Sequence, residues 1–165
     1  MSGKPASPGI VGVGETPALR HPGPDCSTAG LIAQAVRLAL DDAGLRPADV
    51  DGLGVASFTL RPDRAIDLAW RLGLTLGWCM QDEMGGASGI NMLRHAWLAL
   101  QAGQARTIVL AAGDHFTGAD FAALVRGYNR SAQDYLSPLG SAGPNPLFAM
   151  LTQRQMAQTG LRRED

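Results

Sequence analysis

The stretch QDEMGGASGINMLRHAWLALQAGQARTIVLAAGD, residues 81–114, decides the fold. It holds a cluster of tiny side chains, Gly85-Gly86-Ala87-Ser88-Gly89. Behind the cluster Ile90, Leu93, Trp97 and Leu100 recur at helical spacing, with Met92 off that stripe, and Gly103 ends the run. RTIVLAAGD (106–114) is then a continuous apolar run bounded by charge, the pattern of a strand buried on both faces. A helix that starts at such a cluster presents amide groups with no intrahelical partner. Its dipole favours a thiolate or a developing oxyanion there, and glycine lets a ligand or a neighbouring backbone approach closely. The same residues equally suit tight helix–sheet packing with Ser88 as a plain N-cap, and both readings stand at this point.

Upstream, GIVGVG (9–14) predicts a short buried strand, and ETPALRHPGPD (15–25), with its three prolines, a loop. Ser27 or Thr28 can cap a helix in which Leu31, Ile32, Ala35, Val36, Ala39, Leu40 and Ala43 repeat at helical spacing. Gly44 then closes it and Pro47 prevents continuation. DVDGLGVAS (49–57) predicts a strand, RAIDLAWRL (64–72) a short helix, and LTLGWCMQDE (74–83) a third strand. The order strand–helix–strand–helix–strand–helix–strand predicts an α/β architecture with a largely parallel sheet and helices on its faces. Residues 1–114 form the core of this reading. Residues 115–165 continue the same domain as loop and helix, with FAALVRGYN as a helical turn or two and a helix over 146–160 that has Pro146 in its first turn.

A chain of 165 residues with 45% hydrophobic content can bury a sizeable core. The net charge of −1 and the absence of any basic stripe argue against nucleic-acid binding. No apolar stretch approaches the length of a membrane span, and the first residues lack the apolar core of a secretory signal, so a cytoplasmic location is expected. Cys26 and Cys79 are far apart and are expected to be free thiols, Cys79 as a small buried residue in a strand. His21, His95 and His115 are scattered and suggest no metal cluster. Gly12-Val13-Gly14 begins a dinucleotide fingerprint, but Pro17 stands where its third glycine belongs and the next helix starts more than ten residues on. A Rossmann-like nucleotide binder is therefore the weakest of three functional readings.

Taken together, VGVGETP, ALDDAGLRPADVDGLGV, GGASGINMLRHAWLALQAGQARTIVLAAGD and PLFAMLTQRQMAQTGLRRED resemble, in order, the thiolase superfamily, in particular its sterol-carrier-protein-x and lipid-transfer-type branch. The resemblance implies the N-terminal half of a fold that stacks two similar halves into five αβαβα layers. It also implies carbon–carbon bond chemistry on acyl-CoA thioesters, with coenzyme A thioester as substrate and no tightly bound cofactor. It implies a homodimer formed through the third strand, and, for some members, a small partner carrying an OB-type domain. The family's nucleophilic cysteine, in a Cys-small-small-Gly pattern, falls on Gly86, which cannot form a thioester. Cys79 precedes that position by seven residues, and the family's catalytic histidines lie in a C-terminal half that this chain lacks.

The substrate-facing residues expected on this basis are Gly85, Gly86, Ala87, Ser88 and Gly89. Ser88, which needs an adjacent base to act as a nucleophile, and His115, which follows the fourth strand, are weak catalytic candidates. His95, within the third helix beside Arg94, is expected to be a polar or interface residue. Without the cysteine, retro-aldol cleavage is the more compatible chemistry, its base lying outside these residues or being Tyr128 or Tyr135. Acyl transfer like that of an acetyl-CoA acetyltransferase is the other enzymatic possibility. The alternative is a non-catalytic thiolase-fold scaffold that pairs with an active subunit or an OB-domain protein. One feature favours some cover in either case: half of such a fold leaves the apolar side of its third helix exposed.

Overall fold

The computed structural model describes residues 7–127, 130–140 and 145–164. The chain divides into two compact units, residues 1–115 and 116–165.

The first unit is an α/β layer structure. Helix α1 (Thr28–Ala43) is capped by Ser27, whose hydroxyl accepts the Gly30 amide at 3.1 Å, and closes at Gly44 with φ +66°. Strand β1 (Gly52–Ala56) follows, then α2 (Arg64–Leu72), β2 (Trp78–Asp82), α3 (Ser88–Gln101) and β3 (Ile108–Ala112). The three strands form one parallel sheet in the order β2-β1-β3, with Gly52 level with both Trp78 and Ile108. Each step between paired strands crosses through a helix, as parallel pairing requires.

Alternation along β1 sets the two faces. Leu53 and Val55 point into a cluster with Ile32, Val36 and Leu40 of α1 and Leu68 and Leu72 of α2. Burying each such side chain contributes about 1.5–3 kcal/mol relative to exposure. Gly54 looks the other way: a Cβ there would lie 2.7 Å from Leu110 and 3.5 Å from the sulfur of Met92. The sheet-facing side of α3 is therefore Met92, Ala96 and Ala99, and the two alanines let helix and sheet come close.

Several expectations are met, among them the α/β class, the parallel sheet and the boundaries of α1, α2 and α3. Two are corrected. Residues 9–14 form no strand. They run extended along α1, with Val13 N donating to Asp42 Oδ2 at 2.9 Å. Gly12 and Gly14 lie against the helix backbone, where a Cβ would come within 2.4 Å of Ala39 O and Ala35 O respectively. The β-branched residues point outward, so this segment satisfies a helix surface instead of a sheet. The second correction concerns β3, which is an edge strand among the described residues and is only half-buried along most of its length.

In the second unit, α4 (Gly118–Arg126) carries a reciprocal cap between Thr117 and Asp120, and Phe116 meets Phe121 edge to face at 6.2 Å. Helix α5 (Asn145–Thr159) has no buried side chain. No described helix is long and apolar enough to cross a membrane.

Gly14→Ala is expected to lift residues 9–14 off α1 without unfolding the sheet. Hydrogen exchange at Val13 should accelerate about tenfold or more while amides of β1 keep their protection.

Candidate functional site

The C-terminal ends of the strands open into a cleft of about 500 Å³. It lies where ligands bind in open parallel sheets. Gly85, Gly86, Ser88 and Gly89 line it, together with Ser57, Asp82 and Asp114. Of the five small residues expected to face a substrate, Ala87 alone is not part of the lining.

Two aspartates build the walls, and neither stood out in the sequence. Asp82 ends β2 and is 5% exposed. Its carboxylate accepts the Ser88 hydroxyl at 2.6 Å, the Met84 amide at 2.9 Å and the Asn91 side-chain amide. The Ser88 hydroxyl, the Asn91 amide and the Met84 N–H together hold its carboxyl below the usual carboxylate range. Asp114, two residues past β3, gathers the opposite wall. Its Oδ1 accepts Ser57 Oγ at 2.8 Å, Phe58 N at 2.8 Å, and Thr59 N and Oγ1 at 2.9 Å each. Both acids close apolar strands, where a sequence reading sees only the charge that bounds the run.

This geometry revises the role of Ser88. It is the first residue of α3, with Ala87 in the N-cap position, and its hydroxyl donates to Asp82 instead of capping the helix. At 3% exposure the side chain is turned into the Asp82 carboxylate. His115 is half-buried beside the cleft without lining it. Its backbone N–H donates to the hydroxyls of Thr28 and Thr59 at 3.1 and 3.3 Å. Tyr135 is 74% exposed in the second unit, and Tyr128 lies outside the described residues. His95 is exposed on α3.

Neither thiol lines the cleft. Cys26 precedes α1, and Cys79 sits in β2 with its side chain exposed, contrary to the expected burial. The reason is the edge position of β2, which turns alternate residues away from the core. Partial burial nevertheless pushes the Cys79 thiol up.

The glycines of the turn are not equivalent. Gly85 adopts φ +59°, which a side chain would strain. Gly86 has no such φ, and a Cβ built there meets nothing within 4 Å. The position therefore has room for a side chain.

No family model matches the chain. A 17-hydroxy-3-oxo-4-pregnene-20-carboxyl-CoA lyase of Mycobacterium tuberculosis is 31% identical over the whole of this chain and 43% of its own length. A beta-ketoacyl-[acyl-carrier-protein] synthase III of Cereibacter sphaeroides is 34% identical over 55% of this chain and 29% of its own length. Among solved structures, an Ltp2-ChsH2(DUF35) aldolase superposes on 92% of this chain and 38% of its own, with a TM-score of 0.68 and 30% identity. The chain thus spans less than half the length of the proteins it matches.

Two expectations follow. Gly86→Cys should fold with an almost unchanged melting temperature, and its thiol should react with iodoacetamide faster than Cys79, because a helix start favours thiolate. Asp82→Asn should lower the melting temperature at neutral pH. A depressed native pKa contributes stability above the unfolded-state value and loses it as pH falls through the native one, so thermal scans should show the gap between wild type and variant narrowing as pH falls below the unfolded-state value of about 3.9.

Proposed function

We propose, from the premise that the chain is thiolase-like in fold and relatives, that it is part of a protein cleaving carbon–carbon bonds of acyl-CoA by a retro-aldol route, without an acyl-enzyme. The observation that carries this reading is Gly86: the place at the start of α3 where the resemblance puts a nucleophile is open, lines the cleft and bears no thiol. Its similarity to an aldolase and a CoA lyase over nearly its whole length supports the same choice.

In such a cleavage a base removes the proton of a β-hydroxyl group, and the C–C bond breaks to leave a carbonyl product. The electron pair passes into the thioester as an enolate, which then takes up a proton. The first amides of α3 and its dipole suit the enolate oxygen. The base lies outside these residues or is Tyr128 or Tyr135. Acyl transfer in the manner of the synthase relatives would need the missing sulfur.

The chain is taken to be inactive on its own and to work in the cytoplasm, with residues 115–165 as an extension of the same domain. Its partners are proposed to be a second copy, paired through the segment 74–83 that contains edge strand β2, and a C-terminal half or OB-domain protein. The wet side of α3 supports such a cover, with Ile90 at 75%, Leu93 at 42% and Trp97 at 40% exposure. That same observation favours a second reading, a non-catalytic scaffold stabilising an active subunit. A dinucleotide site has lost its premise, since Gly12 and Gly14 follow no strand.

The test is chromatographic product analysis of the complete assembly with a β-hydroxyacyl-CoA. Aldehyde or ketone plus the shortened acyl-CoA is expected, with no covalent acyl adduct by mass spectrometry. Inactivity toward both retro-aldol and thiolysis substrates would leave the scaffold reading, and an acyl adduct would overturn the mechanism.

A further inference from the structure

The cleft has five ionisable side chains, Arg61, Arg64, Asp82, Glu83 and Asp114. Four are engaged by the protein itself. Asp82 and Asp114 accept the donors described above. Glu83 is ion-paired with Arg64 and also accepts the Gln81 side-chain amide at 3.2 Å. Arg61 has no ion-pair or hydrogen-bond partner among the described residues.

Its place in the chain is nevertheless fixed. On one side, Leu60 is buried and its amide donates to Ser57 Oγ at 3.0 Å, in the turn that Asp114 organises. On the other, the Asp63 carbonyl accepts the amides of Ile66 and Asp67 at 2.9 and 3.3 Å, at the start of α2. Arg61 is exposed on this fixed turn, and its guanidinium offers a planar fork of donors, is permanently charged, and matches a carboxylate or a phosphate.

The surroundings decide between those two sources. Arg61 lines the same cleft as Gly86 and Ser88, so an anion on it sits beside the reacting end of a thioester. In a CoA thioester the phosphates are held away from the sulfur by the whole pantetheine arm, whereas a carboxylate on the acyl chain is only a few bonds from it. The space of about 500 Å³ is enough for an acyl group. We propose that Arg61 makes the cleft selective for acyl groups that carry a second, free carboxylate. The thioester part of this inference rests on the acyl-CoA reading above, and the anion part on the geometry of Arg61.

Calorimetric titration of the full chain with glutaryl-CoA, pentanoyl-CoA and adenosine 3′,5′-bisphosphate tests it, with free glutarate as a further probe. Glutaryl-CoA should bind about tenfold or more tightly than pentanoyl-CoA, as one charge-assisted pair allows. Arg61→Ala should erase that preference while leaving pentanoyl-CoA binding and the melting temperature unchanged, and Arg61→Lys should restore part of it. Equal binding of the two thioesters in the wild type would overturn the proposal and leave the acyl-CoA reading standing. An Arg61→Ala variant that weakens the bisphosphate and both thioesters alike would also overturn it, by assigning Arg61 to the nucleotide. Arg61-dependent binding of glutarate without binding of either thioester would uphold the anion subsite and remove the CoA reading. No binding of any probe would overturn both.

Discussion

A single buried carboxylate ties the end of one strand to the first turn of the next helix. Asp82 accepts from Ser88, Met84 and Asn91, so the chain between β2 and α3 cannot wander. Everything the cleft offers depends on that fixation. Gly85 takes its positive φ inside the loop that Asp82 closes, and Gly86 and Gly89 come to face the cavity. A buried acid with all its neighbours donating is stable; each donor removed leaves its charge less well compensated. Asp114 mirrors the arrangement on β3, where it holds the 57–60 turn. The two acids act as brackets for a site whose floor is made of small residues.

The packing of α3 follows from the same economy of side chains. Gly52 and Gly54 of β1 leave a shallow face, and Met92, Ala96 and Ala99 settle into it. The larger apolar residues of α3 are then on the far side, in water. A helix with apolar groups on both sides belongs in the middle of something. The sheet supplies one side of that environment.

The parts of the fold that were legible in the sequence carried local signals. Helix α1 is bracketed by Ser27 and Gly44, and α2 ends at Gly73 with φ +68°. Strands β1 and β3 announced themselves as apolar runs. Two kinds of information were not local. Whether GIVGVG becomes a strand depends on a free sheet edge, and here Gly12 and Gly14 make contact with α1 the available alternative. Which side of α3 meets the sheet depends on how close β1 lets it come, so the stripe of large residues marked the outer face and the alanines the inner one. The turn Gly85–Gly89 was legible as small residues between a strand and a helix, and four of its five residues line the cleft. Asp82, Asp114 and Arg61 were not, since each acquires its meaning only when three strand ends and the loop after β1 come together.

The contrast between Gly85 and Gly86 has a genetic side. Gly85 is held by its backbone angle, but nothing in the fold enforces glycine at Gly86. In the genetic code two glycine codons become cysteine codons by one change in the first base. A thiol can therefore be placed at the start of α3 in a single mutational step, without first having to rebuild the protein that carries it.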